Sequence, residues 1–150
     1  MKPLLVLLCL FGLSLVATAM LWGTLNFAFS GKAALAGMLL FTASAHFVFT
    51  RGMTMMVPAF IPYKKQIVHL TGVLEIAGAA ALFISRISIV TGWLLIAFFI
   101  VLLPANIYAA IHHIDYQKGS YNGKGLSYLW FRIPLQLFFI FWTYCWVILG

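Results

Sequence analysis

Acidic side chains are almost missing from this chain. Asp and Glu together number two, and charged residues of both signs make up 7% of the 150 residues. An ordinary soluble domain carries about 25% charged residues. So few charges cannot cover a water-exposed surface, which excludes a soluble enzyme, a disordered scaffold and a small secreted module. Cysteine is equally sparse. Cys9 and Cys145 stand far apart, with no CxxC and no Cys/His ligand cluster, so neither a disulfide framework nor a thiol site is expected. Their depths, about 9 Å and about 25 Å along their helices, are too different for Cα atoms that must come within roughly 7 Å. Both are expected to be unpaired, buried apolar side chains.

What the sequence has instead is 65% hydrophobic residues, against roughly 45–50% in a soluble domain. That makes it an all-α integral membrane protein. Five apolar segments approach the ~20 residues that a helix needs to cross a ~30 Å hydrocarbon core: Pro3 to Trp22, Lys32 to Thr50, Gln66 to Ser85, Ile87 to His113 and Tyr128 to Leu149. Arg51 to Lys65 is broken by Pro58 and Pro62, which forbids a regular helix throughout and predicts an interfacial loop or a short re-entrant piece. Asp115 to Ser127 (DYQKGSYNGKGLS) predicts a surface loop. Lys2, the apolar run Leu4 to Val16 and Ala17-Thr18-Ala19 satisfy a signal-peptide template. The apolar stretch continues through Met20, Leu21 and Trp22, however, and the basic region is one Lys, so a retained helix is the favoured reading.

The net charge is +7, yet no basic patch is longer than Lys64-Lys65, so nucleic acid is not an expected partner. The bilayer is. With the N-terminus cytoplasmic, one side carries Lys2, Arg51, Lys64, Lys65, Lys118, Lys124 and Arg132, and the other only Lys32 and Arg86. This positive-inside bias predicts an inner (plasma) membrane protein with an external C-terminus.

Polar side chains inside membrane helices are costly and are functional candidates by default. Here they are His46, His69, Glu75, Asn106, Arg132 and Gln136. Helical rise puts Glu75 roughly 13 Å, Gln136 about 12 Å, Asn106 about 10 Å, His46 about 7 Å, Arg132 about 6 Å and His69 about 5 Å from the cytoplasmic end. All six are therefore expected in one ligand-binding or proton site in the inner half, with Glu75 meeting Gln136 and Arg132. The competing reading is interhelical glue, with His46 and His69 structural or facing water. Two His and one Glu at different depths do not predict a metal site. No nucleophile–base pair or phosphate loop is evident, so no catalytic residues are assigned and an enzyme acting alone is not expected. Met53, Met55 and Met56 read as lipid or core contact, and Pro104 as freeing a backbone carbonyl that a neighbouring polar group satisfies.

SAHFVFTRGM (Ser44 to Met53), MVPAFIP (Met56 to Pro62), TGVLEIAG (Thr71 to Gly78), LLPANIYAA (Leu102 to Ala110) and FRIPLQ (Phe131 to Gln136) resemble the DoxX family of small bacterial membrane proteins. The likeness implies a DoxX-like four-helix transmembrane bundle over residues 32–150 and one extra N-terminal helix in residues 1–31. It also implies an accessory or anchoring subunit of a redox or oxidative-stress complex, in association with another membrane protein and with quinone as a possible ligand. The alternatives are an assembly factor binding client transmembrane helices and a carrier of a small hydrophobic solute.

Overall fold

A backbone in hydrocarbon has to satisfy its own hydrogen bonds, and the apolar stretches accordingly become helices. The computed structural model describes residues 2–150. Among these there are six α-helices: α1 (Lys2–Trp22), α2 (Phe27–Val48), α3 (Thr50–Met56), α4 (Lys64–Ala81), α5 (Ser88–Ile111) and α6 (Leu126–Thr143). A π-helical turn, Tyr144–Ile148, extends α6. Four elements are long and apolar enough to cross a membrane: α1, α2, α5, and α6 with its π-turn. The fifth, α4, is outside that set because Lys64, Lys65, Gln66, His69 and Glu75 dilute its 18 residues.

The boundaries follow local chemistry. α2 starts at Phe27, before the expected Lys32, because the Asn26 side chain caps it by accepting from the Phe29 N–H at 2.9 Å. α3 ends at Met56, and Val57 is extended, as a residue before proline should be. The expected loop from Arg51 to Lys65 thus contains a short helix, and only its proline half is irregular. α4 ends at Ala81, four residues short of Ser85, in a tightening turn where Phe83 and Ile84 donate to the Ala80 and Ala81 carbonyls. α5 closes with a Schellman motif: the His113 N–H bonds the Ala110 carbonyl and the Ile114 N–H bonds that of Ala109. His113 takes the left-handed position, at φ 51°, where glycine is usual.

At one end of the molecule the start of α2, the residues after α4, the start of α5 and the end of the π-turn line one cavity. At the other, Leu4 and Leu8 of α1 meet Trp130, Phe131, Pro134 and Leu135 of α6. The long helices therefore alternate in direction, and α1 runs with α6. A single core holds Leu7 of α1, Leu35, Met38 and Leu39 of α2, Ala79 of α4, Leu95 and Phe99 of α5, and Phe139 and Trp142 of α6. α1 is part of that core, with Phe11 edge-on to Trp142 at a centroid distance of 4.9 Å. It buries only one narrow face, which leaves Cys9 exposed and not buried as expected; Cys9 and Cys145 are both free thiols.

The loop after α5 is anchored to α3. Asp115 accepts from the Gln117 and Lys118 N–H groups and exchanges backbone hydrogen bonds with Ser120. This turn presses the Tyr116 backbone carbonyl against Gly52, where a Cβ would overlap it. Gly52→Ala is expected to cost about 1–3 kcal/mol through overpacking against a backbone that cannot step aside. Gly12→Ala in α1 meets nothing within 4 Å and should leave stability unchanged or slightly raised. Thermal unfolding of both purified variants in detergent checks the contrast; equal melting temperatures would show that the α3 contact is not as described.

Candidate functional site

Two i, i+4 pairs face each other across the antiparallel α2–α4 seam. On α2 they are Thr42 and His46; on α4, Thr71 and Glu75. The Thr42 hydroxyl donates to Glu75 Oε2 at 2.8 Å, and His46 Nε2 lies 3.4 Å from Glu75 Oε1. On its other side His46 Nδ1 lies 3.0 Å from the Val68 carbonyl oxygen and 3.0 Å from Thr71 Oγ1. A carbonyl can only accept, so Nδ1 carries a hydrogen and Nε2 is the nitrogen that faces the carboxyl. Glu75 is 4% exposed. Gly72 keeps the seam close, for a Cβ there would press on the His46 side chain and the Phe47 ring. His69 stands at the margin, with Nε2 3.4 Å from Thr50 Oγ1 and its ring 5.5 Å from that of Phe47.

A carboxyl and an imidazole nitrogen in contact can pass a proton between them, which converts a neutral acid and a neutral imidazole into a carboxylate and an imidazolium. Thr42 has a choice of acceptor beside them. Its single hydroxyl hydrogen has three acceptors in range, Glu75 Oε2 at 2.8 Å and the Leu39 and Met38 carbonyls at 3.0 and 3.1 Å. It can serve a carboxylate or turn to its own helix.

A second network joins α5 and α6. Arg132 Nη1 donates to Asn106 Oδ1 at 2.9 Å, and Asn106 Nδ2 donates to Gln136 Oε1 at 2.8 Å. Gln136 Nε2 then donates to the Phe99 carbonyl. That carbonyl adjoins that of Ile100, which loses its backbone donor at Pro104; Gln136 therefore serves the neighbouring carbonyl and not the one that was expected to need a partner. Arg132 also donates through Nε to the Tyr128 hydroxyl at 3.0 Å, and its guanidinium lies 5.1 Å from the Tyr128 and 5.6 Å from the Tyr116 ring centroid.

The six expected residues thus fall into two groups. Glu75 and His46 meet, while His69 lies at the margin of that seam against Thr50 and Phe47. Asn106, Gln136 and Arg132 meet on another seam. The expected contact of Glu75 with Gln136 and Arg132 is not made: the carboxyl's polar contacts are Thr42 and His46, and His46–Glu75 is the one close contact between an acidic and a basic side chain among the described residues. Arg132 leans toward its own helix start, where the tyrosines hold it. Depth alone placed Glu75 beside Gln136, because depth does not say which helices adjoin. Thr42 was not singled out from the sequence, and Thr71 and Tyr128 entered there only as the first residues of a motif and of the fifth segment. The signal for the two threonines was their position one turn from His46 and Glu75.

The chain belongs to the family described as a domain of unknown function (DUF8561), which it matches over residues 35–147. This overturns the resemblance to the DoxX family. Blocks such as TGVLEIAG and SAHFVFTRGM owe their look to small and polar residues at close helix contacts, a pattern many membrane bundles share. No curated protein and no solved structure matches the chain.

Because the networks sit on different seams, double substitutions separate them. Asn106→Leu leaves Arg132 and Gln136 without their shared partner and should destabilise the protein by about 1–3 kcal/mol. Adding Gln136→Leu should cost much less than its effect alone. Glu75→Leu and Arg132→Leu, in contrast, should have additive effects. A coupling between Glu75 and Arg132 above about 0.5 kcal/mol in detergent unfolding would show that the two networks are one.

Proposed function

We propose that this member of the DUF8561 family is a membrane protein that exchanges a proton through the Glu75–His46 pair. The observation that carries the reading is the pair itself: a carboxyl 4% exposed, 3.4 Å from an imidazole whose far nitrogen is tied to a backbone carbonyl. Tautomer control by a fixed Nδ1 hydrogen bond is how histidine is set up to pass a proton through Nε2. Intramembrane carboxyl–histidine chains are a common form of proton relay. Redox coupling and quinone, which rested on the overturned resemblance, form no part of the proposal. The carrier reading needs water at Glu75 from both ends, and the burial of the carboxyl speaks against it.

In this reading five helices cross the bilayer. α4 is carried as the fifth by its seam with α2, and its end joins those of α2, α5 and α6 around the cavity at one face. The end bearing Arg51, Lys64, Lys65 and the Asp115–Ser127 loop is cytoplasmic, and Glu75 lies in that half.

Infrared difference spectra between acid and alkaline buffer test the proton site. A carboxyl band present in the wild type should vanish in Glu75→Gln and shift in His46→Gln, with both variants folded. A spectrum unchanged by either substitution would end the proposal. For orientation, a cysteine at Ser120 should resist a membrane-impermeant thiol reagent in intact cells while one at Gly150 reacts. The opposite labelling would invert the topology.

A further inference from the structure

Resting on the proton exchange proposed above, we infer that the Glu75–His46 pair trades its proton with water at one end of the molecule only, the end bearing Arg51, Lys64 and Lys65. Toward the opposite end the α2–α4 seam is closed by hydrocarbon. From Ala33 to Phe41 on α2, and from Ile76 to Ala81 on α4, no side chain is polar. The α2 stretch alone makes about 13 Å of apolar wall. Leu35, Met38, Leu39, Ala79 and Leu82 fill the seam there, and all five are buried in the one core with Leu95, Phe99 and Phe139. Water has no polar group to hold it in such a place.

Toward the basic end the same seam is polar and opens. The His46 side chain is 12% exposed. Its Nδ1 meets the Thr71 hydroxyl, which itself donates to the Val68 carbonyl at 2.9 Å. Thr50 follows His46 by four residues, about 6 Å along the helix, a span that one water bridges. The Thr50 hydroxyl donates to the His46 carbonyl at 2.7 Å and lies 3.4 Å from His69 Nε2. His46, Thr50, His69 and Thr71 are all half-buried, and Lys65 and Gln66 at the start of α4 are exposed. A hydrated proton therefore meets a donor or acceptor at each turn on this side. The charged and titratable groups are divided in the same way. Arg51, Lys64, Lys65 and His69 stand at the basic end on α3 and α4, and Arg132 on α6 is held by Asn106 and Tyr128. Toward the other end no carboxylate, imidazole or cation occurs on α2 or α4 before Lys32 and Arg86.

The test uses the full chain in right-side-out and inverted membrane vesicles, with the pH of the two compartments set separately between about 6 and about 9. Dicyclohexylcarbodiimide crosses membranes and adds to protonated carboxyls in apolar surroundings, so its adduct on Glu75, read by mass spectrometry, reports the proton there; Glu75→Gln is the blank. Labelling of Ser120→Cys by an impermeant thiol reagent fixes which compartment the basic end faces. Raising the pH in that compartment should lower the adduct, by about tenfold per pH unit once the carboxyl titrates. Raising it in the other compartment should change nothing. A response to the other compartment, or an equal response to both, overturns the inference. An adduct that is absent, or indifferent to pH on both sides, removes the proton-exchange reading and the inference with it. Water entry is checked apart from the proton. With Cys9 and Cys145 replaced by Ala, Thr50→Cys should react with a water-soluble, impermeant maleimide supplied from the basic side, and Leu39→Cys from neither side. An unreactive Thr50→Cys or a reactive Leu39→Cys overturns the one-sided access even where Glu75 titrates.

Discussion

A polar side chain in hydrocarbon has no water as a substitute partner, and that constraint organises the interior of this protein. The larger intramembrane polar side chains find partners on the helix they pack against, while hydroxyls such as Thr91 and Thr143 bond back to their own helix. Glu75 illustrates the demand most sharply. As the one acid in any long helix it fixes the register of α4 on α2, since Thr42 and His46 come opposite it at a single offset. The same constraint explains why α4, diluted by Lys64, Lys65, Gln66 and His69, lies along α2 and does not stand alone in lipid.

The second network meets the constraint differently. Pro104 removes one backbone donor from α5, and Gln136 brings an amide to the carbonyl next to the affected turn. Asn106 is the hinge of the chain: it accepts from Arg132 and donates to Gln136, using both ends of its amide. Arg132 has no acid partner. Its charge is spread over Asn106, the Tyr128 hydroxyl and two tyrosine faces near the helix start, where a long side chain can reach the interface.

Much of the helical frame was legible because 3.6-residue burial and a ~20-residue span leave their mark on composition. The membrane class and the long apolar helices followed from that. The short α3, hidden in a proline-bearing stretch, was not legible, since seven residues make too little pattern. Neither was the α2 start, which Asn26 decides through one hydrogen bond. For the polar residues, helical rise gave depth, while neighbours depend on how the helices order around the bundle, which rise does not contain. Hence Glu75 was placed with Gln136 and Arg132, when α4 in fact packs on α2 and Arg132 belongs to the α5–α6 seam.

The two seams differ in what they can change. Arg132, Asn106 and Gln136 form a chain of fixed donors and acceptors: a guanidinium keeps its protons, amides do not titrate, and reversing any bond would leave a buried donor facing a donor. That seam is static. Among the described residues the α2–α4 seam holds the one close contact between an acidic and a basic side chain, and Thr42 beside it has three acceptors in range for one hydrogen. Moving the proton from His46 to Glu75 removes the carboxylate that holds Thr42 and frees that hydroxyl to return to α2. The rearrangement alters a side-chain bond between helices and leaves every backbone bond intact.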